Sequence, residues 1–341
     1  MRVDIKSMNP EELGGFLESI GEKKYRAKQI FHWIYQGVYD FNEMTNLPKE
    51  LREKLNQVAF IEKLEIQKLQ ISKKDGTRKY LFSLRSKNAI ESVFLKYKYG
   101  NSVCISSQAG CRMGCAFCAS TIGGWIADLS PAEMVDQIIA IEKDTGERVS
   151  NIVVMGIGEP FNNYDNLCRF IELVHDKEGL NLSLRAITVS TCGIVPKIET
   201  FGRDFPQVNL AISLHAPNDE IRNQLMPINK KYPIEMLLVA CRKHTEKTGR
   251  RITFEYALIE GVNDQEIHAK ELANKLSHML CHINLIPLNT VSERAYKKVN
   301  KQRAENFLKT LEKRGIQATI RREMGSDIDA ACGQLRLREQ K

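Results

Sequence analysis

Hydrophobic positions change period along the chain, and the changes divide it. Over residues 1–60 they recur at helical spacing: Leu13, Phe16, Leu17 and Ile20 share a face behind Asn9-Pro10-Glu11-Glu12, whose cap residue, proline and acidic pair mark a helix start. A second segment, Tyr25 to Tyr35, interleaves basic and aromatic residues. The spacing of Ile30, Trp33 and Ile34 favours packing over base stacking for most of them. A third helix opens at Leu47-Pro48-Lys49-Glu50-Leu51, with proline near its first turn. From about 62 to 106 the period shortens. Ile66 to Ile71, Lys79 to Leu84, Ala89 to Tyr97 and Ser102 to Ser106 read as strands, separated by turns at Lys74-Asp75-Gly76, Ser86-Lys87-Asn88 and Tyr99-Gly100-Asn101. That is an antiparallel meander.

Beyond it, strands and amphipathic helices alternate. Helices are predicted at Pro131 to Lys143, Asn163 to His175, near 219–225, at 234–247, Gln265 to Leu276 and Gln302 to Lys313. Strands are predicted at Asn151 to Met155, Ala186 to Ser190, Val208 to Ser213, Ile252 to Leu258, His282 to Pro287 and near Ala318 to Arg321. Such alternation implies a parallel sheet. Counting the strand at Val103, about six βα units are present, so the fold class is α/β, a partial (βα)6 TIM-like barrel. The expected organisation is a basic helical accessory domain over 1–60, an antiparallel β extension over 61–102 and the barrel over 103–341.

The chain's 341 residues are long enough for one large domain and a smaller one, and its 27% charged and 43% apolar residues are ordinary for a globular protein. No window approaches eighteen consecutive apolar residues and the N-terminus lacks an apolar signal core, so membrane spanning and secretion are not supported and a cytoplasmic location is expected. Nine cysteines, an odd number, fit ligation and catalysis in a reducing compartment better than a disulfide framework. The net charge is +8, and residues 1–100 hold 19 Lys and Arg against 13 Asp and Glu. A basic front beside a nearly neutral body points to an anionic macromolecule such as nucleic acid, with a solvated basic surface as the alternative.

The densest chemistry lies at Cys111, Cys115 and Cys118, spaced C-x₃-C-x₂-C in a loop with Gly110 and Gly114. Closed structural zinc sites use four protein ligands, usually in two pairs, and no second C-x-x-C occurs. Three thiolates suit a [4Fe–4S] cluster with one iron open to an exogenous ligand; a degenerate zinc loop or buried thiols are the alternatives. Further polar and glycine signals follow successive strands: Gly156-Ile157-Gly158-Glu159-Pro160, Ser190-Thr191, Ser213-Leu214-His215 and Asn289. All fall at the edge where ligands bind in such sheets. Each alone also reads as a cap or turn residue. The two glycines would let the backbone approach a ligand, and Glu159 could accept a bond from an ammonium group. Glu91, in the third meander strand, reads by itself as an ion-paired or surface carboxylate. Near the terminus, Asp327-Ile328-Asp329-Ala330-Ala331-Cys332-Gly333 reads as a flexible small-residue loop presenting a thiol, and Cys104 lies seven residues before the cluster loop.

With Phe117 just before its last cysteine, the loop resembles the radical S-adenosylmethionine (SAM) signature. Together with Tyr25-Arg26-Ala27-Lys28-Gln29-Ile30, Cys104, Gly156 to Pro160, Ser213-Leu-His-Ala-Pro217, Leu225-Met-Pro-Ile-Asn229 and Asp327 to Leu335, it resembles the RlmN/Cfr family of radical SAM RNA methyltransferases nearly end to end. The resemblance implies a [4Fe–4S] cluster on Cys111, Cys115 and Cys118, and two SAM molecules per turnover. It implies SAM contacts at Gly158, Glu159, Ser190, Ser213, Leu214, His215 and Asn289. It also implies that one SAM methylates Cys332 and that a radical from the second activates that methyl group, which then adds to carbon 2 of adenine. Cys104 would resolve the covalent intermediate through a disulfide with Cys332, and Glu91 or Cys104 would accept the carbon 2 proton. The implied substrates are 23S rRNA at the peptidyl-transferase centre and the tRNA adenosine 3′ of the anticodon. The expected reductant is flavodoxin or ferredoxin, and the expected state a monomer. Cys118-Ala-Ser-Thr-Ile-Gly-Gly124 and Arg321-Arg322-Glu323 resemble the C2 branch more than the Cfr-type C8 branch, which shares every catalytic cysteine. A non-catalytic iron–sulfur RNA-binding protein would need neither Cys104 nor Cys332.

Overall fold

The computed structural model describes residues 2–289, 291, 293–329 and 331–339. Its centre is a ten-stranded sheet. Four strands come from the meander: β1 (Glu65–Ile71), β2 (Arg78–Ser83), β3 (Ala89–Tyr97) and β4 (Gly100–Ile105). Six follow: β5 (Asn151–Val154), β6 (Ile187–Thr191), β7 (Asn209–Ser213), β8 (Ile252–Leu258), β9 (Cys281–Pro287) and β10 (Ala318–Ile320). The spatial order equals the chain order, β1 to β10. Pairing is antiparallel from β1 to β4 and parallel from β4 onward. The parallel part is the expected partial (βα)6 barrel. The meander does not stand apart from it, because β4 is shared, so the sheet crosses positions 102–103 without a break.

Local chemistry explains the helices. Pro131–Thr145 starts with a reciprocal Ser130/Glu133 capping box and a first-turn proline, and ends at Gly146 in the left-handed region, φ 68°. It is buried along most of its length because the sheet and helix Tyr164–His175 pack on it and Lys6, Gly37 and Tyr39 of the N-terminal region reach it. Pro10–Ser19, Arg26–Tyr35 and Lys49–Val58 form that N-terminal layer, and their apolar faces join the barrel's core. Ile30, Phe31, Ile34 and Tyr35 are core residues, Phe31 and Tyr35 stacking at 4.4 Å, while Tyr25 is exposed.

Helix Val195–Asp204 lies where no helix is predicted. Pro196 and Gly202 interrupt its sequence pattern, yet proline occupies the first turn, and a Cβ at Gly202 would sit 2.6 Å from His244 Nδ1 on helix Ile234–Thr248. The glycine is there for close helix packing, a tertiary demand invisible to periodicity. A terminal helix, Gln334–Glu339, likewise forms where the sequence pattern predicts none.

Candidate active site

The cluster loop hangs between two short strands, Gln108–Gly110 and Trp125–Asp128, which pair antiparallel and bring its ends together. Inside it Thr121 Oγ1 donates to the carbonyls of Cys118 at 2.9 Å and Cys115 at 3.2 Å, and Arg294 donates to Thr121 Oγ1 at 2.9 Å. Met113, Cys115 and Phe117 pack on Cys192, Leu225 and Met226. Burial pushes the Cys111 thiol up to about 11 and Cys115 higher still, where Cys118 and Cys111 add their repulsion. Thiols this desolvated ionise when a multivalent cationic centre binds them. Among the described residues no three His, Cys, Asp or Glu side chains converge tightly enough for a single metal ion.

The strand-end residues divide into two groups. Gly156 and Gly158 serve the protein's own packing. A Cβ on Gly156 would lie 2.6 Å from Ile105 O, and one on Gly158, at φ 116°, would lie 2.7 Å from Gln108 Cβ and Ser107 Oγ. The expected close approach is made to the chain leaving β4. Glu159 is buried, accepting from Cys192 N–H at 2.7 Å and Phe161 N–H at 3.0 Å, while its own N–H donates to Gln108 Oε1 at 2.7 Å. Its carboxylate is thus already held by two amides, and burial raises it above the usual range. Ser190 and Ser213 sit half-buried at the ends of β6 and β7, and Leu214 is buried.

His215, Asn289 and Phe117 instead line a cavity of about 560 Å³ above the strand ends, with Gly156 also at its wall. His215 adopts φ 56°, its Nδ1 accepts from Ala257 N–H at 2.9 Å, and its ring meets Phe117 edge-on at 4.9 Å. An accepting Nδ1 leaves the proton on Nε2, and burial drops the imidazole to about 3, so it stays neutral.

The same cavity gathers Cys104, Glu91, Cys118 and Cys332. Cys104 and Cys332 are free thiols. Cys332 Sγ lies 3.2 Å from Ser120 Oγ, just beyond the last cluster cysteine. Burial raises both thiols, with Glu91 pushing the same way and Lys79 opposing. Glu91 is more engaged than its sequence setting suggests. Oε2 accepts from Lys79 Nζ at 2.5 Å and Gly333 N–H at 2.7 Å, and Oε1 accepts from Arg336 N–H at 2.6 Å. Lys79 Nζ also donates to Ala331 O at 3.2 Å. The buried Lys79–Glu91 pair therefore clamps the backbone on both sides of Cys332. Sequence reasoning missed Lys79. Its only signal was a charge in an apolar strand, on the neighbour of another such strand carrying Glu91.

Comparison with known proteins decides the family. A model described as the ribosomal RNA large subunit methyltransferase N-terminal domain matches residues 3–61, and one for the radical SAM superfamily matches 105–273. A "Probable dual-specificity RNA methyltransferase RlmN" from Thermoanaerobacter sp. is 55% identical, covering 98% of this chain and 97% of its own. One of the same name from Lachnospira eligens is 57% identical over 98% and 95%. The chain belongs to the RlmN family. A solved radical SAM methyltransferase from Sphaerobacter thermophilus matches with a TM-score of 0.93 at 44% identity, covering 97% of this chain and 98% of that one. Radical SAM membership brings a [4Fe–4S] cluster and SAM as cofactors, and the donor set of the RlmN-type loop described above suits them.

Proposed function

We propose that the chain is a dual-specificity RNA methyltransferase acting on carbon 2 of an adenine in 23S rRNA and of the adenosine 3′ of the anticodon in tRNA. The single observation that carries this is the meeting of Cys104, Cys332, Glu91 and cluster-loop Cys118 in one cavity of about 560 Å³. Carbon 2 of adenine offers no lone pair to a sulfonium methyl, so when bound the cluster on Cys111, Cys115 and Cys118 and SAM supply a radical route. Gly158, Glu159, Ser190, Ser213, Leu214, His215 and Asn289 would shape the SAM-binding edge.

The chain's own residues do the rest. Cys332 carries the incoming carbon on its sulfur and becomes bonded through it to the base. Cys104, as the thiolate, then attacks the Cys332 sulfur; an S–S bond forms as the bond from that sulfur to the transferred carbon breaks, its electron pair passing to the base and its new carbon, which takes up a proton to complete the methyl group. Buried, largely protonated thiols need a nearby proton acceptor; Glu91, Glu323 and Asp329 all line the cavity, and Glu91 is the one bonded to the backbone beside Cys332, at Gly333 N–H. Its oxygens already hold Lys79, Gly333 N–H and Arg336 N–H, so acting as base requires the Cys332 segment to shift. Cys104 is the rival acceptor; it needs no such release, but only as the thiolate, which burial disfavours. The clamp on Glu91 favours testing both.

Replacing Cys332 by Ala should abolish methylation while the reconstituted protein keeps its visible iron–sulfur absorption; retained activity would refute the covalent route. Cys104→Ala should accumulate protein crosslinked to RNA. Mapping the product methyl separates carbon 2 from carbon 8. An external reductant such as flavodoxin or ferredoxin, a monomeric state and a cytoplasmic location belong to the same reading. No helix among the described residues is long and apolar enough to cross a membrane.

A further inference from the structure

Arg222, on helix Asp219–Leu225, is fully buried, and each of its five N–H groups has an acceptor available. Nε donates to Leu214 O at 3.2 Å, one terminal nitrogen to Asn229 Oδ1 at 2.9 Å and Tyr232 O at 3.5 Å, the other to Cys192 O at 2.7 Å and Ser213 O at 3.3 Å. All five acceptors are neutral oxygens. Asp219 is reached only through Asn229, whose Nδ2 donates to Asp219 Oδ1 at 2.8 Å. A guanidinium spent in this way has no donor left for a ligand, so Arg222 acts through what it holds.

What it holds is the cofactor edge. Its acceptors Cys192, Ser213 and Leu214 lie at or just past the ends of β6 and β7, and Cys192 N–H in turn donates to Glu159 after β5. The end of the same helix holds the cluster loop. Leu225 O accepts from Ala116 N–H at 2.9 Å, between Cys115 and Cys118, and Leu225 and Met226 pack on Cys115 and Phe117. One buried side chain and its helix thus join three strand ends to the cluster ligands. Burying a cation without a carboxylate in contact is costly unless opposite charge lies nearby. Three thiolates on a [4Fe–4S] core carry one net negative charge when oxidised and two when reduced, so the cation favours the reduced form more.

We infer that Arg222 is a positioning residue that locks the SAM-binding strand ends and the cluster loop into one unit, and that its charge raises the cluster's reduction potential. The inference rests on the radical SAM reading above. It is tested on the full chain, reconstituted anaerobically, by iron content, a potentiometric titration followed by electron paramagnetic resonance, and equilibrium SAM binding to the oxidised protein.

Arg222→Met should keep its iron, titrate at a more negative potential and bind SAM about tenfold more weakly or worse. Arg222→Lys keeps the charge but offers three donors for five acceptors. Its potential should stay near that of the unmodified chain while SAM affinity falls. Iron-loaded Arg222→Met with unchanged potential and SAM affinity would overturn the inference. If Arg222→Met fails to fold or load iron, the Lys variant decides, and unchanged SAM affinity there overturns the positioning role. An unmodified chain that takes up no iron would sink the radical SAM reading itself, a distinguishable failure.

Discussion

A single imidazole shows how the strand ends trade solvent for order. His215 has left the ladder at φ 56°, and Ala257 N–H fixes its tautomer. Burial holds it at about 3, against 6.5 for a free imidazole. Between those values the unfolded chain binds a proton that the folded chain refuses, so stability is lost as pH falls through that window. The contribution at stake is on the order of 3 kcal/mol by pH 4. Asparagine tolerates the left-handed backbone and does not titrate. Urea unfolding at pH 7.5 and 4.5 should therefore show His215→Asn losing less stability on acidification than the unmodified chain; equal losses would mean that His215 is not the titrating group. The residue was legible in the sequence as a strand-end polar signal, but its tautomer was not, because Ala257 lies on the next strand. Lys79 was hidden for the same reason: only the β2–β3 register brings it to Glu91.

At the scale of elements, the β1–β2 hairpin acts as a cradle for the terminal segment. Asp327 accepts from Ser72 Oγ at 2.6 Å and Lys73 N–H at 2.9 Å. Asp329 accepts from Gln70 Nε2 at 3.0 Å and donates its own N–H to Gln70 Oε1 at 2.9 Å, and Arg338 pairs with its carboxylate at 2.8 Å. The meander thus presents Cys332 as well as extending the sheet. Its strands were legible because each alternates or runs apolar between clear turns. The cradle was not, since its partners are some 250 residues apart and the segment itself shows only acidic and small residues. Replacing both Asp327 and Asp329 by Asn keeps the shape but weakens the charge-assisted bonds to the hairpin. Alkylation of Cys332 by a soluble reagent should become several-fold faster and methylation slower, with iron content unchanged. Alkylation at the original rate would show that the clamp on Glu91 alone holds the segment.

For the whole molecule, the question is how the basic front joins the catalytic body. Lys6 and Asp136 form a fully buried ion pair between the N-terminal layer and helix Pro131–Thr145, and Asp136 also accepts from Tyr39 Oη at 2.9 Å and Leu64 N–H at 2.6 Å. Breaking one side of such a pair costs about 3–5 kcal/mol. Removing residues 1–60 would therefore strand Asp136 and strip the core, and any loss of RNA binding would be uninterpretable. Charge reversal on the surface avoids this. Lys23 and Lys24 are exposed ahead of helix Arg26–Tyr35. If the basic layer grips phosphate, Lys23→Glu with Lys24→Glu should weaken binding of both rRNA fragments and tRNA at low salt. It should also flatten the plot of log affinity against log salt by about one for each phosphate that is no longer neutralised. Unchanged affinity and slope, in a variant whose thermal unfolding matches that of the unmodified chain, would assign this face to solvation and leave the mouth of the cavity to hold the RNA.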